Sequence, residues 1–140
     1  MDSQRLEFWI NFIVQNSGFP VPERLAAQFA AASFSEFCDC GCNSFKVTIA
    51  GGNKAGPIAK PSNHSGAVFS SSFFLEPSGK SLELILFANE AGDLSYVEID
   101  CNANSEPVPE FIQAHKPYHV HASAGLAPNI SFKADGFAAA

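Results

Sequence analysis

Residues 82–88 and 94–100 constrain the fold more than any other part of the chain. They read Leu-Glu-Leu-Ile-Leu-Phe-Ala and Leu-Ser-Tyr-Val-Glu-Ile-Asp, joined by Asn89-Glu90-Ala91-Gly92-Asp93. Two runs rich in β-formers around a short Gly-containing connection predict an antiparallel hairpin. Side chains alternate between the faces of a strand. Leu82, Leu84, Leu86, Val97 and Ile99 therefore share one face, and Ile85, Phe87, Leu94 and Tyr96 the other. A hairpin apolar on both sides is central in a sheet, or is covered by the helices on one side and by loops or a partner on the other.

The rest of the chain supplies partners for that hairpin. Leu6, Trp9, Ile10 and Ile13 recur at helical spacing, so residues 3–16 predict a helix capped by Asp2 or Ser3 and ended by Asn16-Ser17-Gly18. Phe8, Phe12 and Val14 widen its stripe until only Glu7, Asn11 and Gln15 remain polar. Such a helix is buried or covered by a partner. Pro22 opens a second, Ala-rich helix over residues 22–32. Phe45, Val47 and Ile49 alternate with polar residues and predict a strand. Residues 67–75 predict another, closed by the turn Pro77-Ser78-Gly79-Lys80. Tyr118–His121 and Ile130–Lys133 are short late candidates. Residues 51–66 read as a long flexible loop, and the C-terminus as frayed. The expected fold class is α+β in a single domain over residues 1–140: two N-terminal helices packed on an antiparallel sheet of four to six strands.

Composition narrows the partners. The chain has 140 residues, is 46% hydrophobic and 16% charged, holds 14 Phe, and carries a net charge of −6. Acidic charge argues against nucleic acid and against an anionic membrane surface. No apolar run is long enough to span a bilayer. The start, Met1-Asp2-Ser3-Gln4-Arg5, lacks the basic region and cleavage site of a signal peptide. The expected compartment is the cytoplasm, with reduced cysteines.

Chemistry-bearing residues are few. Cys38, Cys40 and Cys42 stand in a C-x-C-x-C run. They are the candidate metal ligands, with zinc as the candidate ion and Cys101 or a histidine as the fourth ligand. No C-x2-C knuckle is present, and alternate strand positions sit roughly 6.6–7 Å apart, wide for shared ligation. The competing reading is buried free thiols, and no cofactor is then expected. His119 and His121 form an H-x-H pair, with His115 upstream and His64 in the long loop. If residue 88 pairs with residue 93, Glu83 stands opposite Glu98, an arrangement suited to acid/base or metal chemistry or else to a solvated edge. The chain has no G-x-S-x-G elbow, and Gly51-Gly52 is not part of a phosphate loop.

Residues 25–47 end in Cys38-Asp39-Cys40-Gly41-Cys42-Asn43-Ser44-Phe45-Lys46-Val47. With the later Leu94-Ser95-Tyr96-Val97-Glu98-Ile99 and Pro107-Val108-Pro109, they resemble a family of small uncharacterised bacterial proteins. In that family a short helix precedes a C-x-C-G-C-x-S motif that opens a strand. The resemblance implies an α+β fold and a bacterial source, and it brings no activity. Cys101, His119 and His121 fall outside it.

The functional expectation is a non-enzymatic, cytoplasmic interaction protein of immunity or accessory type. Trp9, Phe8 and Phe12 would anchor a protein partner or a second copy. The alternative is a metal-binding or thiol-dependent protein built on Cys38, Cys40 and Cys42. A third reading is an enzyme using Glu83, Glu98 and a histidine.

Overall fold

The computed structural model describes residues 3–38, 43–50, 55–61, 65–75, 80–101, 107–108 and 117–123, with the backbone alone for Leu75 and 117–123. Two helices, α1 (Ser3–Asn16) and α2 (Pro22–Ala30), precede six strands. These are β1 (Ala32–Ser35), β2 (Phe45–Ile49), β3 (Gly66–Leu75), β4 (Ser81–Ala88), β5 (Leu94–Cys101) and β6 (Pro117–Ser123). They form one antiparallel sheet in the order β1-β2-β5-β4-β3-β6. The α+β arrangement expected from the sequence is the one observed.

Both helices cover the same face of the sheet. Trp9, Phe12 and Ile13 of α1, and Leu25 and Phe29 of α2, join Phe45, Val47, Phe73, Leu82, Leu84, Leu86, Val97 and Ile99 in one buried cluster. Aromatic rings lock the layers together. Phe12 meets Phe73 at 5.1 Å, Phe19 meets Phe69 at 5.2 Å, and Phe29 of α2 meets Phe34 of β1 at 6.3 Å. Offset and edge-on ring pairs of this kind stabilise beyond the area they bury.

The wide apolar stripe of α1 is thus consumed inside the protein. Leu6, Phe8, Ile10 and Val14 pack at the margin of the same cluster. The expectation that Trp9 and Phe12 anchor a partner is corrected: Trp9 is fully buried and Phe12 nearly so. The sheet needed a helix that apolar, because its inward face carries large side chains on every central strand.

Three local readings also change. Helix α2 stops at Ala30, and Ala32 opens β1. The Ala run favours helix locally. Pairing of Ala32 with Ile49 and Phe34 with Val47 overrides that preference. The stretch read as an unpacked loop contains Ile58 and Ala59, both fully buried. Their N–H groups donate to the Gly92 carbonyl at 2.9 and 3.1 Å. Leu94 is fully buried on the helix side rather than facing away, because a bulge between Phe87 and Ala88 turns it inward. The candidate strand at Ile130–Lys133 lies outside the described residues.

Gln28 ties these parts together. It is fully buried. Its Nε2 donates to the Gly56 carbonyl at 2.9 Å and to Asp93 Oδ1 at 3.0 Å, and its Oε1 accepts from the Leu94 N–H at 2.8 Å. One amide therefore joins α2, the 55–61 segment and the hairpin turn, with both of its ends satisfied. Among the described residues, no helix is long and apolar enough to cross a membrane.

Candidate functional site

The sheet has a second face, and none of the described helices lies on it. Strand register defines its rows. Tyr96 sits between Lys46 and Phe87, Glu98 is opposite Ile85, and Asp100 is opposite Glu83. On β3, Ser70 pairs with Ile85 and Ser72 with Glu83. Ile85, Phe87, Tyr96, Glu98 and Asp100 are half-exposed, and Glu83 is exposed. Phe87 and Tyr96 meet edge to face at 5.8 Å. Phe74, toward the β6 side, is 45% exposed, the one large hydrophobic side chain so open among the described residues.

This face breaks a rule of sheet pairing. Glu83 and Asp100 are directly opposed, and like charges so placed destabilise a sheet. Glu98 stands one position away diagonally. Partial burial, then the nearby charges of Asp100 and Glu83, hold the Glu98 carboxyl above the usual carboxylate range. Burial raises Asp100 as well. Lys46 is the only Lys or Arg in the six strands. Its ammonium is occupied by Glu36 at 3.3 Å. No ion pair reaches Glu83, Glu98 or Asp100 among the described residues.

The sequence placed Glu83 opposite Glu98, and that register is corrected. The turn hydrogen bonds run from Asn89 N–H to the Asp93 carbonyl and from Gly92 N–H to the Asn89 carbonyl, both at 2.9 Å. With the bulge, this moves Ala88 opposite Leu94, and β5 shifts by two residues along β4. A two-residue shift keeps every side chain on its face. The carboxylates therefore still share one surface, with a different opposite number. No group of three or more His, Cys, Asp or Glu among the described residues is placed to hold a metal.

The histidine strand is real but remote. His121 pairs with Ser72, which pairs with Glu83, and His119 pairs with Phe74. Two strand spacings put the backbones of His121 and Glu83 about 10 Å apart. His64 and His115 lie outside the described residues.

Of the cysteine run, Cys38 is described. It donates its N–H to the Ser44 carbonyl at 2.9 Å. Ser44 Oγ accepts from the Ile99 N–H at 2.9 Å, which docks Ser44 onto β5. Asn43 adopts a left-handed φ of 67°. Its Oδ1 accepts from Arg5 Nε at 2.9 Å and Trp9 Nε1 at 3.1 Å, pinning Asn43 to α1. The Arg5 guanidinium lies over the Phe8 and Trp9 rings at 5.8 and 5.6 Å. Cys38 is disulfide-bonded. The expectation of reduced cysteines therefore does not hold at this position, and a disulfide sulfur offers no thiolate to a metal. Cys40 and Cys42 lie outside the described residues. Cys101 forms no disulfide and is fully buried in the core.

No family model, curated protein or solved structure matches this chain.

Proposed function

We propose that the protein is a non-enzymatic interaction module, of accessory or immunity type, that binds another protein through the open face of its sheet. The observation that carries this reading is the opposed pair Glu83 and Asp100, with Glu98 beside it, next to half-exposed Ile85, Phe87 and Tyr96. Local rules of stability are broken most often where function needs it. Aromatic side chains of this kind also serve as anchors in protein interfaces. The resemblance of residues 25–47 to small bacterial proteins supports a bacterial source.

A second reading rests on the Cys38 disulfide. The proposed compartment is the cytoplasm, where disulfides are transient, catalytic or redox-sensing. A thiol-dependent role built on Cys38, Cys40 and Cys42 is therefore the alternative.

A photo-crosslinking side chain at position 87, compared with one at exposed Ala27 on α2, tests the first reading. One defined protein captured from position 87 and not from 27 supports it. Capture that instead depends on the redox state of Cys38, and is indifferent to position 87, favours the alternative.

A further inference from the structure

We propose that the occupant of the open face is a basic, arginine-bearing segment of another protein, seated with its cation among Glu83, Glu98 and Asp100 and its apolar side chains on Ile85, Phe87 and Tyr96. This rests on the reading of that face as the docking surface and names the chemistry of what docks there.

Charge complementarity carries the inference. The six strands contain three acidic residues and one Lys, and that Lys is engaged by Glu36 at 3.3 Å. The carboxylates therefore lack a counter-ion among the described residues. A guanidinium suits this site better than an ammonium. It forks onto carboxylates in bidentate fashion, is weakly hydrated, and stacks on aromatic faces. Tyr96 and Glu98 follow each other on the same face of β5, so both contacts lie within one side chain's reach.

The same charges argue against a second copy of this chain. A two-fold interface places a patch against itself. Here it would set the carboxylates of one copy against those of its partner, a juxtaposition that works against association.

The probe is a short synthetic peptide alternating arginine with valine and tyrosine, beside a counterpart with glutamate in place of arginine. Binding is followed by amide chemical-shift changes in the full chain. The arginine peptide is expected to shift β4 and β5 around residues 83–87 and 96–100, with an affinity that falls as salt rises. Glu98→Lys/Asp100→Lys should weaken it by roughly tenfold or more. Glu7→Lys/Glu23→Lys changes net charge equally on the helices and should leave it nearly unchanged. Glu98→Gln/Asp100→Asn, which removes charge without adding any, guards against misfolding of the first variant. Equal losses in the face and helix variants, or shifts mapping elsewhere, would overturn the basic partner. Binding of the glutamate peptide alone to this face would overturn it too, while leaving the face as a docking surface. No shift with either peptide, together with no crosslink from position 87, would remove both readings.

Discussion

On the covered face of the sheet, Leu82, Leu84, Leu86, Val97 and Ile99 are 0–1% exposed, in one cluster with the buried residues of both helices. On the open face, the intervening positions of the same strands hold Glu83, Ile85, Phe87, Tyr96, Glu98 and Asp100, exposed or half-exposed. Backbone, register and hydrogen bonding are shared. What differs is what each side chain meets. Covered positions satisfy every preference at once: apolar, tightly packed, and free of charge. Open positions combine large apolar surface with carboxylates that repel one another. The first pattern is what folding requires. The second is costly to folding and intelligible as a surface kept for another molecule.

The largest effect should come from placing charge on the covered side. Ile13 is fully buried, so Ile13→Asp should abolish the cooperative folding transition. An unpaired buried charge costs several kcal/mol, against a total stability of about 5–15 kcal/mol. Ile10 is only partly buried at the margin of the core, so Ile10→Asp should leave a folded protein of lower melting temperature. Circular dichroism melts of the two variants check the order.

A smaller effect is expected at the rim, where the hairpin turn meets the 55–61 segment. Gly92 has φ 85°, and a Cβ there would overlap the Ala59 carbonyl oxygen. Gly92→Ala should cost about 1–3 kcal/mol, read as a lowered urea midpoint with unchanged slope. An unchanged midpoint would mean that the turn does not hold Ile58 and Ala59 in place.

The smallest effect has the opposite sign and belongs to the open face. Glu98→Gln removes one of the mutually repelling charges and should stabilise the protein at neutral pH by about 0.2–1 kcal/mol. The Glu98 carboxyl is raised in the folded protein from its ordinary 4.5, so the folded state holds its proton more tightly than the unfolded chain. Stability from this group therefore falls as pH rises through the window above 4.5. The advantage of Glu98→Gln should be present above that window and vanish below it, where the wild-type carboxyl is protonated in both states. Melting curves across pH measure it. A destabilised variant at neutral pH would show that Glu98 has a favourable partner.

Much of this fold was legible in the sequence because period and punctuation agreed. The stripe Leu6, Trp9, Ile10, Ile13 with Asn16-Ser17-Gly18 marks α1, and the alternation around Val47 marks β2. Strand β1 was hidden because Ala30, Ala31 and Ala32 favour helix, and only pairing with β2 decides otherwise. The packing of Ile58 and Ala59 was hidden because it depends on a carbonyl from Gly92, far along the chain. The candidate site was half legible. Glu83 and Glu98 could be assigned to one face from parity, but their register depends on a bulge that no residue pattern announces. Asp100 was missed for the same reason. The placement of Trp9 and Phe12 at a partner surface failed because a nearly all-apolar helix meets that description equally well when a sheet covers it.

Equilibrium urea denaturation of the double variant Phe87→Ser/Tyr96→Ser tests most directly whether the open face is a surface rather than part of the core. If it is a surface, unfolding stays cooperative with an unchanged slope, and the loss is limited to about 1–2 kcal/mol from the lost ring pair. Loss of the transition, or a cost above about 4 kcal/mol as seen for core truncations, would contradict the account and make that face a second core.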